Sequence, residues 1–114
     1  MNVLTAFISL STDKVQLIIR KRGKEMTILN LVLTHKWYDM IDSGVKTEEY
    51  REIRPFWHNR IVGKEHTHVC FHRGYTKTTM LFEMGGITMG KGKSEWGAPD
   101  KPVFIIKLGE RVEK

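Results

Sequence analysis

Apolar residues in this chain gather in short, β-rich runs, each closed within a few positions by glycine, proline or a cluster of charges, and that spacing limits the folds open to it. Residues 27–33, Thr-Ile-Leu-Asn-Leu-Val-Leu, set Leu29, Leu31 and Leu33 against Ile28 in the alternation of a strand. Further extended runs are read over 46–53, over 67–72 with Val69 and Phe71 on one face, over 78–84 through Met80, Leu81 and Phe82, and over 102–108. Two stretches turn toward helix. After Thr34, a candidate N-cap, Trp37, Met40 and Ile41 fall three and four positions apart, and Ser43-Gly44 supplies a stop. Pro55 breaks the strand before it, and 56–62 reads as a short helical turn with Phe56, Trp57, Arg60 and Ile61. Such an order does not make alternating strand–helix–strand units. It predicts an α+β, mainly-β fold: a small, partly closed β-barrel of five or six strands with one or two short helices, one of them plugging an end.

At 114 residues the chain is read as one domain with one modest core. No apolar run approaches the roughly 18 residues of a membrane span. The N-terminus does not read as a secretory signal, and the single cysteine, Cys70, rules out an internal disulfide. A cytoplasmic protein with no membrane partner, a monomer or weak dimer, is the expectation. The net charge of +6 is unevenly spread: residues 1–25 carry five basic against two acidic residues, which is half of the total. That segment differs from the rest and reads either as a leader placed before Met26 or as an extra hairpin, with a strand over 15–19 and a basic turn over 20–24. The domain proper is then 26–114. Its mild basicity is compatible with phosphate ligands without specifying one.

Chemistry concentrates in Gly44-Val-Lys-Thr-Glu-Glu-Tyr-Arg51. On a strand, Glu49, Arg51 and Ile53 share one face, and Glu48, Tyr50 and Glu52 the other. A carboxylate and a guanidinium on an inner face must be paired or presented to a ligand. Lys46, at the loop-to-strand junction, is placed where a flexible ammonium reaches over a cleft. The competing reading is a structural ion pair of Glu49 with Arg51 or Lys46.

The order Gly44-x-Lys46-Thr47-x-Glu49-x-Arg51, following Trp37-Tyr-Asp-Met-Ile-Asp-Ser43 and followed late in the chain by Phe104-Ile-Ile-Lys-Leu-Gly109, resembles the signature of the ASCH domain, a branch of the PUA-like superfamily. The resemblance covers about residues 28–111. It implies a PUA-like β-barrel whose cleft, lined by Lys46, Glu49 and Arg51, contacts RNA or a modified nucleoside or nucleotide, with no cofactor. One small bacterial branch of that superfamily hydrolyses acetylated cytidine with a lysine, a threonine and a glutamate. Lys46 falls at that lysine, while Glu49 stands at the threonine position and Thr47 is displaced from it. The resemblance therefore favours a binding module, with an amidohydrolase acting on N4-acetylcytidine through Lys46 and Glu49 as the alternative.

Aromatic and basic groups that can serve unpaired bases are Tyr50, Arg54, Trp57, His58, Arg60, Arg73, Tyr75 and Trp96. From these Tyr50, Trp57, Arg73 and Trp96 are taken as supporting ligand-binding residues. Trp57 has a competing role packing on the barrel with Phe56, and Trp96, between Glu95 and Gly97, is expected to be exposed. His66, His68, Cys70 and His72 share one face if their strand is continuous, but no second cluster of ligands accompanies them, and no metal site is assigned. Gly85-Gly-Ile-Thr-Met-Gly90-Lys91-Gly92 approaches a phosphate-binding loop but has glycine where a hydroxyl would bind magnesium. It is read as a mobile strand connection from which Lys91 and Lys93 reach phosphates.

Overall fold

The structure, a computed structural model, describes residues 25–112. The strand and basic turn read over 15–24 lie outside the described residues. Five strands and two α-helices follow in order: β1 (Ile28–Leu33), α1 (His35–Asp42), β2 (Glu48–Arg51), α2 (Pro55–Ile61), β3 (His68–Arg73), β4 (Thr79–Lys91) and β5 (Pro102–Arg111), with a 3₁₀ turn, Ser94–Trp96, between the last two strands. The strands make one sheet in the order β1-β3-β4-β5-β2, curled into a half-barrel. β1 runs parallel to β3, and the other pairs are antiparallel. This is the α+β, mainly-β, barrel-like fold expected from the spacing of the apolar runs. Among the described residues no helix is long and apolar enough to cross a membrane.

Strand alternation builds the core. Leu29, Leu31 and Leu33 of β1 turn inward, and the register sets Leu29 beside Val69 and Leu31 beside Phe71. Met80, Phe82, Phe104 and Ile106 complete the inner face, closed by Tyr38 and Ile41 from α1 and Ile61 from α2. On the opposite face of β2 and β5, Tyr50, Val103 and Ile105 bury a smaller cluster beneath Ala98 and Trp96 of the β4–β5 connection.

Local structure departs from the sequence reading in four places. Thr34 has extended backbone at the N-cap of α1, but its hydroxyl makes no capping bond. The apolar face of α1 is centred on Tyr38 and Ile41, with Trp37 and Met40 half-buried. β2 is four residues long rather than eight, because residues 44–46 still belong to the exit from α1 and Pro55 draws 52–54 toward α2.

The fourth departure is the largest. The sequence ends the strand at Met84 and makes the glycines after it a mobile connection. In the structure β4 continues to Lys91 and pairs with β5 throughout. Gly85 and Gly86 sit at a register irregularity between Phe82 and Gly86, the first where the two strands approach closely and the second where the backbone turns to positive φ. A Cβ on Gly85 would lie 2.8 Å from the Lys107 carbonyl oxygen, and Gly86 has φ +124°. Lys91 ion-pairs with Asp100 and Lys93 lies 4.5 Å from the ring centre of Trp96, so both ammoniums have neighbours within the connection itself.

Candidate functional site

Gly44 decides where Lys46 begins. With φ +86°, it reverses the chain at the end of α1, so that the Val45 and Lys46 amides both donate to the Met40 carbonyl at 3.0 Å. This turn carries the Lys46 side chain inward, and the residue is only 1% exposed. Its ammonium donates to Glu49 Oε1 at 2.8 Å and to the Glu48 carbonyl, and sits 4.8 Å from the ring centre of Tyr50 and 5.9 Å from that of Trp37. Burial pulls the Lys46 pKa below the ordinary lysine value, opposed by the Glu49 carboxylate. The ammonium expected to reach over a cleft is instead enclosed by two aromatic rings and a carboxylate.

Glu49 carries the chain of charge onward. Its second oxygen accepts from Arg51 Nη1, which also donates to the Tyr50 carbonyl at 3.0 Å. Arg51 Nη2 donates to the Val32 carbonyl at 3.1 Å, and the guanidinium lies 5.1 Å from the ring centre of Trp57. Arg51 Nε is buried without a hydrogen-bond partner among the described residues. Lys46, Glu49 and Arg51 therefore converge on one another, as the shared strand face of Glu49 and Arg51 implied.

Beside Arg51 an open cleft of about 430 Å³ lies at the C-terminal end of β2. Arg51, Arg54 and Trp57 line it on the α2 side, and Gly97, Pro99 and Val103 on the side of the β4–β5 connection. Tyr50 and Glu52 complete the lining. Lys46 and Glu49 stand behind Arg51 and do not line the cleft. Tyr50 is largely committed to the fold: its hydroxyl donates to Glu48 Oε1 at 2.9 Å and accepts from the Lys93 amide at 3.1 Å. Burial pushes its phenol up to about 12.

No protein-family model, curated protein or solved structure matches this chain. The geometry itself must carry the functional reading.

Two other predicted residues lie away from the cleft lining. Arg73, at the end of β3, is held by both carboxylate oxygens of Asp39, each at 2.9 Å. Trp96 is half-buried on the smaller cluster rather than exposed, because its 3₁₀ turn folds back onto Tyr50 and Val103. Arg54, one of the base-serving groups but not of the four taken as ligand-binding, joins the lining, as do Gly97 and Pro99. Arg54 was recognisable as the basic residue just before the helix-starting Pro55. The connection residues carried no signal, since only the folding of 92–101 over β2 brings them there.

The histidine and cysteine face is likewise divided. β3 starts at His68, and His66 lies before it with Nε2 2.8 Å from the Arg60 carbonyl. His72 pairs with Asn30 at 3.0 Å and His68 with the Thr67 hydroxyl at 2.7 Å. No group of three or more His, Cys, Asp or Glu side chains gathers as a metal site among the described residues.

Chemically, the resting arrangement suits recognition. Glu49 has both oxygens engaged, and Lys46 spends two of its three donors within the fold. Arg54, ion-paired with the exposed Glu52 at 3.1 Å, and Arg51, whose Nη2 keeps one hydrogen beyond its bond to Val32, place guanidinium groups near the Trp57 indole, a pairing suited to a planar, anionic or hydrogen-bonding ligand.

Proposed function

We propose that this domain is an ASCH-type, PUA-like module that binds RNA, or a modified nucleoside or nucleotide, in the cleft beside Arg51. One observation carries the reading: the Arg51 guanidinium, held in place by Glu49 and the Val32 carbonyl, borders an open cleft together with Trp57 and Arg54. A cleft of about 430 Å³ falls within the range of small-ligand sites. Aromatic faces beside arginines are how unpaired bases are held, the ring taking the base and the cation the phosphate or a base edge. Lys46 and Glu49 act here as the support that orients Arg51.

Titrating the full chain with UMP, CMP and a short oligouridylate, read by amide chemical shifts, tests this. The expected result is shifts at Arg51, Arg54, Trp57 and Gly97, and at least severalfold weaker binding in Arg54→Ala with an unchanged melting temperature. Absence of shifts at these residues with all three probes would sink the reading.

Amide hydrolysis of N4-acetylcytidine is the second reading, and one observation favours it. A buried lysine with a lowered pKa beside a carboxylate is suited to proton transfer. It requires Lys46 to leave its enclosure and meet substrate. Incubation with N4-acetylcytidine, followed by mass detection of cytidine and acetate, separates the two, since a binding module releases neither.

A further inference from the structure

Tyr75 is the most exposed large hydrophobic residue described, at 96%. It stands at the tip of the β3–β4 hairpin, in a turn that is closely specified. Gly74 has φ +59°, the Thr76 amide and hydroxyl both donate to the Arg73 carbonyl, and the Thr78 amide donates to the Thr76 hydroxyl. The fold thus displays an aromatic ring on an ordered turn while using none of it for packing. The same hairpin carries Arg73 and Lys77, and the His35 ring at the start of α1 lies against Gly74 at its base. The acid that packs here, Asp39, is neutralised by Arg73.

Two routes connect this tip to the cleft. Along β1, the neighbouring carbonyls of Val32 and Leu33 accept from Arg51 and from the Gly74 amide respectively, at 3.1 and 2.7 Å. With one Cα step of about 3.8 Å between them, the guanidinium and the base of the tip are on the order of 10 Å apart. Along α1, the cleft residue Gly97 abuts Trp37, Lys36 lies 4.5 Å from the centre of that ring, and the His35 ring abuts Gly74. Basic side chains therefore run from Arg54 and Arg51 past Lys36 to Arg73 and Lys77, with Glu52, Glu49 and Asp39 paired to the three arginines, so that the two lysines carry the positive charge of the track.

We propose that Tyr75 is a second stacking platform, so that the partner is a single-stranded stretch of RNA spanning several nucleotides, one seated in the Arg51 cleft and a neighbour stacked on the hairpin tip. The inference rests on the cleft reading above and extends it from a nucleotide to a strand. Stacking on an exposed ring tolerates any base, and the surrounding cations follow the backbone, so length matters more than sequence.

The experiment compares UMP with a short fluorescein-labelled oligouridylate on the full chain, for wild type, Tyr75→Ala, Tyr75→Trp and Lys77→Ala. The ring is not packed, so these variants keep the wild-type melting temperature. The expected result is that Tyr75→Ala weakens the oligonucleotide roughly tenfold while UMP binding is unchanged, that Tyr75→Trp restores affinity, and that Lys77→Ala lowers affinity and flattens its salt dependence. Oligonucleotide binding that ignores Tyr75→Ala would overturn the platform while leaving the cleft reading intact. Failure of wild type to bind either probe would overturn both. A hairpin tip that serves a protein partner instead would show as oligonucleotide binding indifferent to Tyr75 and Lys77 alike.

Discussion

Arg51 and Val32 lie on strands at opposite edges of the sheet, yet Nη2 of the one donates to the carbonyl of the other across 3.1 Å. The half-barrel is thus fastened across its open seam by a side chain rather than by a backbone ladder. The same guanidinium is anchored by Glu49, which is anchored in turn by Lys46. One ion-paired chain therefore closes the fold and sets the wall of the candidate cleft.

Replacing Arg51 tests the seam. Arg51→Lys keeps the charge but cannot hold Glu49 Oε2, the Tyr50 carbonyl and the Val32 carbonyl with one planar group. A loss of about 1.5–3 kcal/mol in chemical denaturation is expected for Arg51→Lys, comparable to that for Arg51→Ala. Amide exchange should quicken selectively along β1 and β2. Uniform quickening across β3 to β5 would show that Arg51 supports the whole sheet and not its seam.

Lys46 and Glu49 call for a double-mutant cycle. Lys46→Met leaves the Glu49 carboxylate buried with Arg51 as its remaining cation and should cost about 3–5 kcal/mol. Combining Lys46→Met with Glu49→Gln should recover part of that loss, because the buried carboxylate that lost one of its two cations is itself removed. Strictly additive losses would contradict a coupled pair.

Much of this architecture was readable in the chain. β1 and β3 follow from alternation in residues that pack on one face, β5 follows from a continuous apolar run buried on both faces, and Pro55 marks the start of α2 because its missing amide is harmless there. Glu49 and Arg51 share a face for the same reason of strand period. What the chain could not announce is non-local. Lys46 is buried because Trp37, Tyr50 and Glu49 enclose its end, and a lysine at a loop junction is otherwise solvated. Gly85 reads as part of a loop because its use, close passage against β5, belongs to the partner strand. Trp96 loses its expected exposure, and Tyr50 is buried, for the same cause: the β4–β5 connection folds back over β2.

Alkaline pH should expose the two enclosed groups with opposite signs. Tyr50 ionises at about 12 in the folded protein against 10 when unfolded, chiefly because burial disfavours the phenolate. Its stabilisation is complete below pH 10 and lost between 10 and 12, about 2–3 kcal/mol in all. Tyr38, also raised by burial, acts in the same direction. Lys46, lowered by burial, makes stability rise with pH between its folded value and 10.5. Stability should therefore hold or climb toward pH 10 and fall beyond it. In denaturation profiles, Tyr50→Phe should flatten the fall between pH 10 and 12, and Lys46→Met should remove the climb. A Tyr50→Phe profile as steep as wild type would assign the alkaline loss elsewhere.

Gly90 and Gly92 separate the fold's use of glycine from a phosphate loop's. An added Cβ at Gly90 would meet Ile105 Cδ1 at 3.7 Å, an ordinary contact. At Gly92 it would meet the Tyr50 ring at 2.5 Å and the Ala98 Cβ at 2.8 Å, with no flexible side-chain end to give way. Gly90→Ala should be neutral or stabilise by about 0.4–1 kcal/mol, through reduced freedom of the unfolded chain. Gly92→Ala should cost about 1–3 kcal/mol and shift the amide signals of Tyr50 and Lys93, whose mutual hydrogen bond lies beside the clash. A backbone built to cradle phosphate would give a different pattern: both substitutions would impair anion binding, and neither would be ranked by contact with Tyr50. Thermal melts of the two variants, with and without pyrophosphate, tell these outcomes apart.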